Sequence, residues 1–272
     1  MIPADREAAG PDPWAFLQAH TAARIAQGRT GHSLPTRALL AFQLDHARAR
    51  DAVWTPLDSE TLCAELAHCR PDPVVLQSQA VDRITYLQRP DLGRCLSPAS
   101  LSQLETMPVS EPPTLAIVVA DGLSATAVQR HAGPVVAGVV AGAANRNWVV
   151  APIAVVQQGR VAIGDPIGHA LGARLLLVLI GERPGLSSPD SLGAYLTYQP
   201  RPGLTDADRN CVSNIRPEGM PYGAAIDKLL YLLGEMHAHQ LSGVALKDDM
   251  PVPTAGHTFS PASSAQTPET PD

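Results

Sequence analysis

The hydrophobic rhythm of the chain changes near residue 113. Before it, apolar positions recur at helical spacing. Trp14, Leu17, Thr21 and Ile25 follow the pair Asp12-Pro13, a carboxylate N-cap and a proline placed where no backbone N–H is needed, and Gly28 supplies a stop. This predicts a first helix. The loop GRTGHSLPT leads to a second, from about Pro35 to Ala52, with Leu40, Leu44 and Ala47 along one side. Neither helix can bury its stripe alone, so both need a partner surface. The stretch from Asp82 to Pro90 reads as extended, and Leu101 to Pro113 as a short helix running into a Pro-rich linker.

Beyond the linker the period shortens. Thr114 to Ala120 is a continuous, largely β-branched run, the signature of a strand buried on both faces. Asp121-Gly122-Leu123-Ser124 breaks it. Helices are predicted over 125–132 and 134–145, and strands over 148–156 and 174–180. Residues 159–163 read as a short extended arm, 165–171 as a short helix and 181–188 as a turn-rich loop. A fourth, more exposed strand is predicted over 194–198, and a polar loop over 209–219. The helix 222–239 carries Ala225, Leu229, Leu232, Leu233 and Met236 on one face. Strands alternating with helices predict an α/β fold. The expected organisation is an N-terminal helical region (1–113) that makes a subunit contact, then a Rossmann-like, mostly parallel sheet with flanking helices (114–249). The Pro-, Ser- and Thr-rich tail (250–272) has little to bury and is read as disordered.

Composition narrows the partners. Net charge is −6, and only two of the 20 basic residues are lysine, Lys228 and Lys247. That balance argues against nucleic acid as a partner. No apolar run approaches the ~20 residues of a membrane span, and the first residues lack the layout of a secretory signal. The expectation is a soluble, intracellular protein with free thiols. Its four cysteines show no CxxC spacing, and Cys63, His68 and Cys69 make only a weak zinc candidate.

In an open parallel sheet, ligands bind beyond the carboxyl ends of the strands. Two segments fall there, the loop Asp121 to Ser124 and the loop Gly181 to Ser188. The chain has no GxGxxG after a strand, no phosphate loop and no GxSxG nucleophile elbow. Asp165 and His169 are close together but do not form the DxHxxG pattern that ligates cobalt. From the residues alone three readings stay open: half of a shared ligand site, a self-contained small-ligand binder using Asp121, Ser124 and Glu182, or a non-catalytic scaffold.

A set of long segments in fixed order runs from about residue 13 to 248. It includes ARIAQGRTG, YLQRPDLGRCL, VVADGLSATAV, GRVAIGDPIGHALGAR, LIGERPGLSSPDSLGAYLTYQPRPG and DRNCVSNIRPEGM. Together they resemble the small (light) subunit of ethanolamine ammonia-lyase, the adenosylcobalamin-dependent enzyme. The resemblance implies a large catalytic partner subunit, a hetero-oligomer of several subunit pairs and adenosylcobalamin held jointly. The implied reaction turns ethanolamine into acetaldehyde and ammonia through a 5′-deoxyadenosyl radical. It carries three cobalamin contacts onto Val161, Glu182 and Cys211, and implies neither a catalytic acid or base nor a metal ligand in this chain. It also implies a bacterial microcompartment, or else the cytoplasm. Only about a dozen residues precede the first predicted helix, fewer than the packaging extension of some relatives.

Overall fold

The structure, a computed structural model, describes residues 12–69, 73–107 and 112–251. In chain order its elements are α1 (Thr36–Trp54), α2 (Ser59–Leu66), β1 (Val74–Gln77), α3 (Arg83–Gln88), α4 (Pro98–Glu105), β2 (Leu115–Ala120) and α5 (Ala125–Ala144). They continue with β3 (Ala154–Gln157), α6 (Gly164–Ala170), β4 (Leu175–Gly181), β5 (Leu192–Tyr198), β6 (Arg209–Ile215) and α7 (Tyr222–His239).

Among the described residues six strands form one sheet in the order β1-β3-β2-β4-β5-β6. The first four are parallel, while β5 and β6 return antiparallel. Every residue of β2 and β4 is buried, which explains their unbroken apolar runs. Alternation divides them. Leu115, Ile117 and Val119 join Leu175, Leu177 and Leu179 on one face, packed against α2, α5 and α7 through Leu62, Val135 and Leu229. Ala116, Val118, Leu176 and Val178 point the other way, toward Leu104 of α4 and Ile167 of α6. The fold is thus α/β with helices on both sheet faces, each fully buried Leu, Ile or Val contributing about 1.5–3 kcal/mol.

Local signals place the helix starts. Ser97 accepts from Ser100 N and stands before Pro98, and Ser124 accepts from Ala127 N. α5 runs unbroken through Pro134, where the pattern predicted two helices. Residues buried on both sides of that proline, among them His131, Ala132, Val135 and Val136, outweigh its missing hydrogen bond.

Other expectations are corrected. The first predicted helix is a 3₁₀ segment, Ala15–His20, with no buried residue, because nothing among the described residues covers Trp14 or Phe16 and a short helix does not persist unpacked. The segment 82–90 is not extended. Asp82 caps it by accepting from Thr85 N at 2.7 Å, and the resulting α3 buries Tyr86. Residues Val161–Ile163 form a 3₁₀ turn, not an extended arm. β5 is no exposed strand, because Leu192, Ala194 and Leu196 are fully buried beneath α7. The supposed polar loop over 209–219 begins as β6, whose pairing with β5 was invisible in its composition. α2 and β1 went unread, and β1 adds to the sheet from the N-terminal side of residue 113. The tail expected to be disordered lies outside the described residues from 252 onward.

Candidate functional site

β2 and β3 send their helices to opposite faces of the sheet, since α5 packs on one side and α6 on the other. The crevice between their carboxyl ends is where an open sheet would seat a ligand. Here the protein fills it. The Asp121 carboxylate accepts from Gln158 N at 2.9 Å and from Gly159 N at 3.0 Å, tying the β2 loop to the β3 loop. Arg83 closes the crevice from above. It donates to Gly122 O at 2.8 Å and Val53 O at 2.6 Å, and stands 3.7 Å from Asp121. Burial pushes the Asp121 carboxyl up to about pKa 6, against the backbone donors and Arg83, which pull it down. Gly122, at φ +58°, lies against the Gly181 backbone where a Cβ would collide. Ser124 caps α5 and donates to Pro189 O at 3.0 Å. Asp121 and Ser124 are therefore committed to holding the loops together.

The second candidate region is different. On the α6 side of the sheet, Val178, Tyr195 and Cys211 form a row across β4, β5 and β6. The neighbouring row, Leu176, Thr197 and Arg209, lies beneath α6, whose Asp165 receives Arg209 at 2.6 Å in a pair with both side chains 3% exposed. α6 ends its cover there. Cys211 and Ser213 are exposed, with Sγ and Oγ 3.2 Å apart, and Tyr195 is half-buried beside them. Burial first, then the Cys211 thiol and the Glu182 carboxylate, push the Tyr195 hydroxyl up to about pKa 12, so it remains a donor.

Of the three residues expected to hold a cofactor, Glu182 and Cys211 border this open face. Glu182 follows β4, and its carboxylate crosses Gly193 to accept from Asn214 N at 3.2 Å. Among the described residues no arginine pairs with it, and its hydrogen-bond partner is the Asn214 backbone. Cys211 lies on β6 directly opposite Tyr195. Val161 is half-buried against the same layer as Tyr195, one helical turn before Gly164, which presses on Val178. Tyr195 escaped the sequence reading. The alternation of Leu192, Ala194 and Leu196 puts it on the opposite, open face once β5 is known to be a central strand.

The other candidates are not gathered. His169 is exposed on the last turn of α6. Cys63 and Cys69 turn toward the α2 core, with burial raising both thiols, while His68 is exposed. Among the described residues no three His, Cys, Asp or Glu side chains meet as a metal set.

Fold and site together define an α/β protein with a self-filled crevice and an open, polar sheet face bordered by a carboxylate, a thiol and hydroxyls. The family model for the ethanolamine ammonia-lyase light chain matches residues 11–247, and the chain belongs to that family. It is 56% identical over 244 residues to the ethanolamine ammonia-lyase small subunit of Ralstonia nicotianae, covering 89% of this chain and 90% of the relative. Against the small subunits of Pseudomonas fluorescens and Azotobacter vinelandii it is 55% and 54% identical, over 89% and 91% of this chain and 89% and 93% of those relatives. Among the described residues no helix is long and apolar enough to cross a membrane.

Proposed function

We propose that this chain binds adenosylcobalamin jointly with a large catalytic subunit and works in the conversion of ethanolamine to acetaldehyde and ammonia. The chain-long likeness to small subunits carries this reading. When bound, the cofactor supplies the radical that abstracts substrate hydrogen. The residues of the open face suit such a group. A corrin rim carries neutral amides whose N–H groups need acceptors, and the Glu182 carboxylate has lone pairs beyond the one used by Asn214 N. Val161 offers half-buried apolar surface, and Cys211, Ser213 and Tyr195 offer a weakly polar floor. Their role is to bind, orient and exclude water, leaving the chemistry to the cofactor and the partner.

The N-terminal region supports a shared assembly. Leu39, Leu40, Phe42 and Leu44 of α1 are exposed, as are Trp14 and Phe16 before it, so this arm is proposed as a contact for the large subunit in a hetero-oligomer of several pairs. The complex is placed in a bacterial microcompartment where a shell is encoded, and in the cytoplasm otherwise. Mixing the purified chain with its large partner and adenosylcobalamin is expected to restore ammonia release from ethanolamine, with the chain inactive alone. Inactivity of a properly assembled complex, or turnover by the isolated chain, would refute the reading.

A further inference from the structure

Arg160 immediately precedes Val161 and has no anionic partner among the described residues. Its Cζ stands 4.2 Å from the centre of the buried Tyr86 ring, and Nη2 donates to Tyr86 O at 3.2 Å. Its backbone N donates to Gly93 O at 2.7 Å, and its stem lies against Gly93. Tyr86 is fixed in turn, donating through its hydroxyl to Gly159 O at 3.1 Å. The guanidinium is therefore held in one place. Nε is buried without a partner, Nη1 has none among the described residues, and none of their carboxylates pairs with Arg160. Arg83, which also stands over the Tyr86 ring, already has Asp121 and two carbonyls. A half-buried arginine held rigid and left unpaired favours an anion with oxygens that accept its forked donors, above all a phosphate.

We propose that Arg160 receives the phosphodiester of the cofactor's nucleotide tail. The inference rests on the cobalamin reading above and specifies which part of the ligand this side of the site takes. Corrin amides are neutral, whereas the phosphodiester is the anionic group of the tail, so charge selects it. Val161 then meets the ring edge while its neighbour secures the tail.

The test reads ligand affinity, not turnover, in the complex with the large subunit. Absorbance titrations compare hydroxocobalamin, cobinamide phosphate, which keeps the anion without the base, and cobinamide, which lacks the whole tail. Arg160→Gln is expected to weaken the first two by roughly ten- to hundredfold and to leave cobinamide within about twofold. Arg160→Lys, which keeps the charge, is expected to retain part of the preference, and serves where Arg160→Gln fails to assemble. An unchanged preference for hydroxocobalamin over cobinamide overturns the proposal, however far both affinities fall. So does a cobinamide phosphate that behaves like cobinamide. Glu182→Ala is titrated alongside. If it also leaves all affinities intact, the cobalamin reading itself fails. If it weakens binding while the Arg160→Gln preference is unmoved, only the assignment of Arg160 falls.

Discussion

Glu182 reaches across Gly193 of the adjacent strand to accept the backbone N–H of Asn214 at 3.2 Å. A Cβ on Gly193 would lie 3.0 Å from Oε1 and 3.1 Å from Cγ of that side chain, so the bare backbone of β5 is what lets the carboxylate lie flat on the sheet. Gly193→Ala is therefore expected to push Glu182 aside, costing under ~1 kcal/mol of stability because a flexible side chain can yield. Cofactor retention by the assembled complex should nevertheless drop several-fold. Retention equal to wild type would detach Glu182 from the site.

Glu182→Ala removes the acceptor itself. A corrin amide left without its partner should cost about 1–3 kcal/mol of cofactor affinity. Equilibrium dialysis of the complex with hydroxocobalamin measures it, and Glu182→Gln should recover part of the loss through its carbonyl oxygen.

Cys211 is exposed on the open face next to Ser213. Its alkylation by iodoacetamide in the assembled complex is expected to slow several-fold when hydroxocobalamin is added. Mass spectrometry of the labelled peptides gives the rate, and an identical rate with and without cofactor would place Cys211 away from the ligand.

Asp121→Asn tests the filled crevice. An amide must set its NH2 against one of the two backbone N–H groups now held by the carboxylate, so the variant should lose about 1–3 kcal/mol. The pH dependence has a definite sign. Burial raises the carboxyl from its ordinary 3.8 to about 6, so the folded state binds the extra proton in that window. The contribution of Asp121 is full below pH ~4 and declines as pH rises through ~6, by on the order of 2–3 kcal/mol. Urea unfolding of the full chain at pH 4.5 and 7 should show this slope in the wild type and not in Asp121→Asn.

Asp165 and Arg209 are both buried, 2.6 Å apart, and pin α6 to β6 beside the open face. Asp165→Ala leaves the guanidinium with only Leu204 O and the exposed Asp206 and should cost about 3–5 kcal/mol, whereas Asp165→Leu with Arg209→Met removes both buried charges and should cost less. Thermal unfolding of the three chains decides it; equal losses would show that the pair's charge is not what holds α6.

The candidate site was legible in part. The loop that begins at Gly181 stood out because it follows a strand that the pattern shows to be wholly buried, whereas the cofactor contacts at Val161, Glu182 and Cys211 came from the resemblance rather than from spacing. Tyr195 did not stand out, since its face depends on whether β5 is central or exposed, and β5 is central only because β6 pairs outside it. Arg160 went unread as a candidate because its distinction is spatial, a stack on Tyr86 from a helix that the local pattern did not reveal. The loop Asp121 to Ser124 looked like a binding turn for a sound reason. It lies where ligands bind in open sheets, but its groups are used up by Gln158, Gly159 and Pro189.

By itself the sequence determined the elements whose signal is local: the doubly buried runs of β2 and β4 and the one-sided stripe of α7. Burial on two faces or one face leaves a periodic imprint that a single segment carries. Tertiary structure decided whatever depends on a distant partner. The polar residues Arg209 to Ile215 became a strand because β5 offered them hydrogen bonds, and the antiparallel return of β5 and β6 created an open face that no segment encodes alone. Pairing free energy comes from residues far apart in the chain, so neither the edge strand nor the face beside it can be read from its own composition.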